Sequence, residues 1–193
     1  MGGLTLYAAG DDSNHAGKTG GEILVATFSI LEGDDAIVKL GNKRNVERAL
    51  RYVSEEGRDW RFTVRAGDQY RHYSQNVPFV LPTLIHHYLH SINGFLKERI
   101  TEVCAFADGE VKRHEQERFI ETIMHLPEAE YIERVSISGF VKKRFSRGSG
   151  FSKQYECPRL VWAADSIANH LFRKSSVEAL FKHPKMIVPY IDK

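Results

Sequence analysis

Three aspartates stand where carboxylates can do chemistry. Asp11 follows the apolar stretch LTLYAAG, Asp108 closes the run EVCAFAD, and Asp165 lies inside WAADSIA, bordered by Val161, Ala164 and Ala168. A carboxylate beside a core-facing stripe is costly unless a positive group meets it. Two strand ends and one helix converging on such a group would supply the hard oxygen ligands that Mg2+ or Mn2+ prefers. Two such ions about 3.5–4 Å apart can activate a water and stabilise the leaving oxygen of a phosphodiester. Singly, each aspartate has a plainer role: a turn residue at 11, a strand-end cap at 108, a solvated helix position at 165. Only the joint pattern points to a metal centre.

Competing chemistries are weaker. Gly17-Lys18-Thr19 resembles the end of a phosphate-binding loop, but Asp12 stands where the first glycine belongs. The pattern after Gly21 is also that of a strand, so no helix N-terminus is offered to a phosphate. Nucleotide hydrolysis through Lys18 is therefore the least favoured activity, and these glycines read as a hairpin turn. His86 and His90 are four apart on one helix face, with His87 where a zinc protease needs its glutamate base. With Tyr88, Leu89 and Ile92 interleaved, they read as partly exposed or satisfied histidines on a packing helix, with metal ligation the alternative. Cys104 sits in an apolar strand, a context that argues against a nucleophile.

The elements that must position the aspartates follow from pattern. Residues 5–9, 22–30 and 35–40 read as three short strands separated by turn residues, an antiparallel meander. Asn45 then caps a helix, VERALRYVSEEG, that stops at Gly57. Residues 60–66 return to period two, 67–81 form a polar and aromatic connection, and 82–96 have helical spacing. The apolar run 102–108 marks a strand covered on both faces. Helix at 112–126, strand at 132–142, a Gly-Ser-rich basic loop and helix at 159–173 complete the order. An antiparallel start running into strand–helix–strand units makes a mixed sheet with helices packed on it.

Composition sets the frame. With 193 residues, 42% hydrophobic and 27% charged, the chain suffices for one globular domain, or one domain with an insertion. A net charge of +2 does not by itself demand a nucleic-acid partner. The cysteines, Cys104 and Cys157, are far apart and suggest a reduced, intracellular protein. No stretch approaches eighteen uninterrupted apolar residues and no signal-peptide pattern opens the chain, so no membrane partner is expected and the expected location is cytoplasmic.

The ordered aspartates resemble the RNase H-like superfamily, and within it a family of uncharacterised nuclease-like proteins whose first strand runs into Asp-Glu-Ser-Gly. Here that stretch is Gly10-Asp11-Asp12-Ser13-Asn14; Cys104-Ala105-Phe106-Ala107-Asp108 looks like the family's later strand ending in aspartate, and Ala164-Asp165-Ser166-Ile167-Ala168 like its final helix. The resemblance spans about residues 4–173 and implies an α/β fold, a central mixed sheet of about five strands flanked by helices. It implies one RNase H-like domain over residues 1–193, with a helical insertion at about 67–100. Asp11, Asp108 and Asp165 would be the metal ligands and the catalytic residues, with Mg2+ or Mn2+ as cofactor. Asp12 replaces the family's glutamate and Asn14 its glycine, and Asn tolerates the same left-handed turn. RNase H enzymes also carry a glutamate on the first helix, for which Glu47 is the candidate, with a surface pairing to Arg51 its alternative. Asp68, after the strand WRFTVRA, is the rival for the second metal ligand under a different strand numbering.

A nuclease must also hold a polyanion. Lys142, Lys143, Arg144, Arg147 and Lys153 cluster in VKKRFSRGSGFSK with Phe145 and Phe151 interleaved, a composition that can grip phosphates while an aromatic ring stacks on a base. A solvated connection is the equal alternative. Lys112, Arg113 and His114 follow Asp108 and are further candidates for backbone contacts. The leading expectation is a metal-dependent nuclease hydrolysing phosphodiesters of DNA or RNA, with His15 or His170 assisting proton transfer. The rival is a non-catalytic nucleic-acid-binding or protein-interaction module on the same fold.

Overall fold

β1 (Leu4–Ser13) and β2 (Gly21–Ser29) form an antiparallel pair running from Tyr7↔Ser29 to Ser13↔Ile23. β4 (Arg58–Ala66) adds antiparallel to β2, while β5 (Ile100–Asp108) adds parallel to the other side of β1 and β6 (Arg134–Phe140) parallel to β5. The result is a five-stranded mixed sheet in the order β4-β2-β1-β5-β6, flanked by helices and consistent with the RNase H-like arrangement expected. The structure is a computed structural model that describes residues 2–13, 21–40, 45–66, 77–140, 144–147, 150–153, 155–175 and 177–187; the side chains of 21–22, 39–40, 65–66, 144–147, 150–153, 155 and 177 fall outside that description.

The period of β1 divides the core. Leu6 and Ala8 point into an apolar cluster with α2 (Val77–Ser91) and α4 (Arg113–Met124), which contribute Leu81, Leu84, Phe119 and Ile123. Ala9 points to the opposite face, into a cluster with α1 (Val46–Val53) and α5 (Arg159–Lys174). Every residue of α5 from 160 to 168 is buried, so this helix is the central element of its layer. The Thr27 hydroxyl donates to the Leu160 carbonyl at 3.0 Å and fixes the start of α5 over β2. On the outer side of β4, Phe62 exchanges backbone hydrogen bonds with Lys185 and Ile187, which covers an otherwise open edge. Among the described residues, no helix is long and apolar enough to cross a membrane.

Three expectations need correction. β3 (Ile37–Leu40) is not the third strand of a meander: it leaves the sheet and pairs antiparallel with β9 (Tyr155–Pro158), and β4 takes its place beside β2. Period two marks a strand but does not choose its partner. The segment expected as one helix over 82–96 is two: α2 starts earlier, at Val77, and ends at Ser91, after which Asn93 accepts from the Leu96 N–H at 2.8 Å and caps α3 (Gly94–Arg99). Pro82 therefore lies inside α2, where burial of Leu81, Leu84, Ile85 and Leu89 offsets the hydrogen bond that proline cannot donate. The basic loop contains an antiparallel hairpin, β7 (Arg144–Arg147) with β8 (Gly150–Lys153). Asn14, His15, the Gly17-Lys18-Thr19 stretch, Asp68, Lys142 and Lys143 lie outside the described residues.

Two local devices hold the sheet ends. Asp34, in the turn after β2, accepts from Ser29 Oγ at 2.5 Å and from Arg58 Nε and Nη2 at 2.7 and 3.0 Å, tying β2 to β4. Burial raises the Asp34 carboxyl pKa, but the hydrogen bonds from Arg58 and Ser29 outweigh it and hold the group below its ordinary value. At the other end Asp108 is followed by Gly109, with φ 110°, whose N–H donates to the Phe140 carbonyl at 2.9 Å. Gly139 packs against this turn so closely that a Cβ there would lie 2.7 Å from Val111 N and closer still to Gly109 O.

Asp34→Asn should cost about 1–3 kcal/mol in urea unfolding at neutral pH, because Arg58 loses its charged partner. Since the folded pKa is depressed, the contribution is fully present above the unfolded carboxylate value of about 3.9 and disappears as pH falls through the lower folded value; the gap to wild type should therefore close in acid. Gly139→Ala should cost about 1–3 kcal/mol by the same assay, whereas Gly2→Ala should leave the midpoint unchanged. A Cβ on Gly2 meets nothing within 4 Å.

Candidate metal centre

Strand parity and register bring the first two aspartates together. In the parallel pair, Gly10 lies opposite Ala107, so the next residues along are Asp108, the last residue of β5, and Asp11. Asp11 is not a turn residue beyond a strand over 5–9 but a β1 residue paired with Val25 of β2. Ala9 and Phe106 point into the α5 layer, and two residues further along each strand the same face presents Asp11 and Asp108. Asp165 belongs to α5, with its neighbours Val161, Ala164 and Ala168 packed in that layer. One carboxylate oxygen from each of Asp11, Asp108 and Asp165 lies within 4.8 Å of the others, and no other metal-capable group that tight occurs among the described residues.

Burial makes the cluster demanding. Asp11 is 2% exposed and Asp165 4%, with Asp108 half-buried. Two anionic oxygens 4.8 Å apart repel by on the order of 3 kcal/mol at an effective dielectric near 20, and the loss of water adds to this. A divalent cation offsets both. Octahedral Mg2+ holds oxygens at about 2.0–2.1 Å, so opposite ligands stand about 4.2 Å apart and adjacent ones about 2.9 Å, and the three oxygens would close on one ion by side-chain shifts. The donor set is all carboxylate, the chemistry of a hard ion. These residues fit a bound divalent metal.

Two groups orient the ligands. The Asp12 N–H donates to Asp11 Oδ1 at 2.9 Å. The Asn169 Nδ2 donates to Asp165 Oδ1 at 3.2 Å and to the Asp165 carbonyl at 2.8 Å. Both partners are acceptors, which fixes which end of the Asn169 amide faces them. Asn169 was not among the sequence candidates. Its signal was the spacing of four from Asp165 on the same helix, which places two polar groups on one face of an otherwise apolar segment.

The remaining candidates are distributed differently. Asp12 is buried at 6% exposure, but strand parity sends its side chain to the face opposite Asp11. Glu47 is exposed in the first turn of α1 and His170 is exposed on α5; neither belongs to the carboxylate cluster. Lys112, Arg113 and His114 are exposed around the start of α4, where Arg113 pairs with Glu117 at 2.9 Å. Arg144, Arg147 and Lys153 lie on the β7–β8 hairpin, in which Arg144 is register partner to Lys153.

Asn169→Leu should weaken Mn2+ binding roughly 10- to 100-fold in calorimetry, the usual effect of removing a hydrogen bond to a metal ligand. Set against known proteins, the chain matches no family model and no curated protein, so the centre rests on its geometry and donor chemistry.

Proposed function

We propose that this protein is a Mg2+- or Mn2+-dependent nuclease that hydrolyses phosphodiesters in DNA or RNA, with Asp11, Asp108 and Asp165 as ligands. The observation that carries the reading is the approach of three carboxylate oxygens to within 4.8 Å where β1 and β5 run side by side under a buried helix. When bound, divalent ions supply an activated water and neutralise charge on the scissile phosphate. The chain's own part is positional: Asp11 and Asp108 are held by the β1–β5 register, and Asn169 sets the Asp165 carboxylate. Burial keeps bulk water from competing for the same oxygens.

The nucleic-acid part of the reading draws on the basic hairpin. β7 and β8 stand in the chain between β6, the neighbour of the Asp108 strand, and α5, which carries Asp165. Their sequence supplies Arg144, Arg147 and Lys153 with two phenylalanines, a composition suited to a phosphate backbone and its bases. A non-catalytic nucleic-acid-binding or protein-interaction module on the same fold is the second reading. It is favoured by one observation, that among the described residues no fourth carboxylate completes the cluster.

The experiment is cleavage of labelled single-stranded, duplex and hybrid substrates with Mn2+, with Mg2+ and with chelator. The proposal expects metal-dependent cleavage of at least one substrate, reduced to background by Asp108→Asn. Metal uptake without cleavage of any substrate supports the module, and absence of both metal uptake and cleavage refutes the nuclease.

A further inference from the structure

His86 and His90 share a face of α2, and the carboxylate of Glu128 from the 3-10 turn Pro127–Tyr131 lies against both. His86 Nδ1 is 2.7 Å from Glu128 Oε2, and His90 Nδ1 is 3.3 Å from Oε1. The two imidazole rings have centroids 6.3 Å apart and planes inclined by 34°, so each offers a nitrogen to the same carboxylate. The Glu128 side chain is only 8% exposed. Its burial raises the carboxyl pKa, but a bond from its own backbone N–H and the two histidines outweigh that and hold it below the ordinary value, as a carboxylate.

We propose that His86, His90 and Glu128 form a second cation site, selective for a borderline divalent ion such as Zn2+. Two imidazoles and one carboxylate, with the fourth position left to water, are a donor set that Zn2+ accepts and that Mg2+ does not favour. Nitrogens bind Zn2+ at about 2.0–2.1 Å, so these three donors, which unlike the aspartates do not all stand within 4.8 Å of one another, must draw together around the ion. Each ring exchanges its hydrogen bond to Glu128 for a bond to the metal. The His90 side chain, 77% exposed, can turn to do this. The sequence offered the histidine pair but not its third ligand, which the fold brings from 38 residues away.

This site is separate from the aspartates. The start of α2 lies over Gly10, because a Cβ there would meet Val77 and Leu81, whereas His90 is in the last turn of the helix. Just past the 3-10 turn, the Glu133 N–H donates to Thr101 O at 2.8 Å, at the start of β5, the strand that ends on Asp108. A bound ion would tie α2 to the segment that enters β6 and stabilise the folded chain by mass action.

Calorimetric titration of the full chain with Zn2+ tests this, beside His90→Ala, His86→Ala/His90→Ala and Asp108→Asn. The expected result is an uptake event in wild type that persists in Asp108→Asn and is lost in both histidine variants. His90→Ala removes an exposed ring, so its metal-free melting should match wild type and its titration remains decisive if the double variant folds poorly. No Zn2+ uptake by wild type, uptake unchanged in His90→Ala, or uptake abolished by Asp108→Asn overturns the site.

Discussion

The parallel pairing of β1 with β5 fixes the candidate centre, because its register decides both the height and the face of two carboxylates contributed from opposite halves of the sequence. With Gly10 opposite Ala107, Asp11 and Asp108 follow side by side on neighbouring strands, on the α5 face. A slip of one residue would turn one of them to the face packed by α2 and α4. The alanines at 8, 9, 105 and 107 leave room for helices on both sides, and the antiparallel β2 locks β1 from its other edge. α5 then lowers Asp165 onto the pair from a layer in which it is buried along more than two turns.

The folded chain thus gathers like charges where water is scarce. Burial and mutual repulsion both oppose such an arrangement, and apolar packing of the helices must hold it open for a cation. The second cluster follows the opposite logic: Glu128 meets two imidazoles, which donate to it as they stand. Oxygen-only donor sets favour hard ions and mixed nitrogen–oxygen sets borderline ones.

Much of this was legible in the sequence because the signals are local. The apolar runs ending in Asp11 and Asp108 announce strands by composition, and Asp165 stands out by interrupting an apolar stripe. Asn45 was readable as a cap, and its side chain does accept from the Arg48 N–H at 2.9 Å. What was not legible is partnership. β3 looks like any short strand, and only tertiary pairing with β9 removes it from the main sheet. Pro82 reads as a helix start because proline favours first turns; α2 instead begins at Val77, with Pro78 already in that turn and burial carrying the helix past Pro82. The Asn93-Gly94 pair that splits α2 from α3 was a usable signal, overridden by the apolar spacing around it. Glu128 gave no local sign of meeting His86, since no periodicity links a 3-10 turn to a helix 42 residues earlier.

The central claim is that Asp11, Asp108 and Asp165 hold a divalent metal. Crystals of the full chain soaked in Mn2+ and measured for anomalous scattering address it without recourse to activity. The account predicts an anomalous peak bonded to oxygens of all three aspartates at about 2.0–2.3 Å. Carboxylates splayed apart with no peak between them, or Mn2+ ligated by other residues in their place, would contradict it.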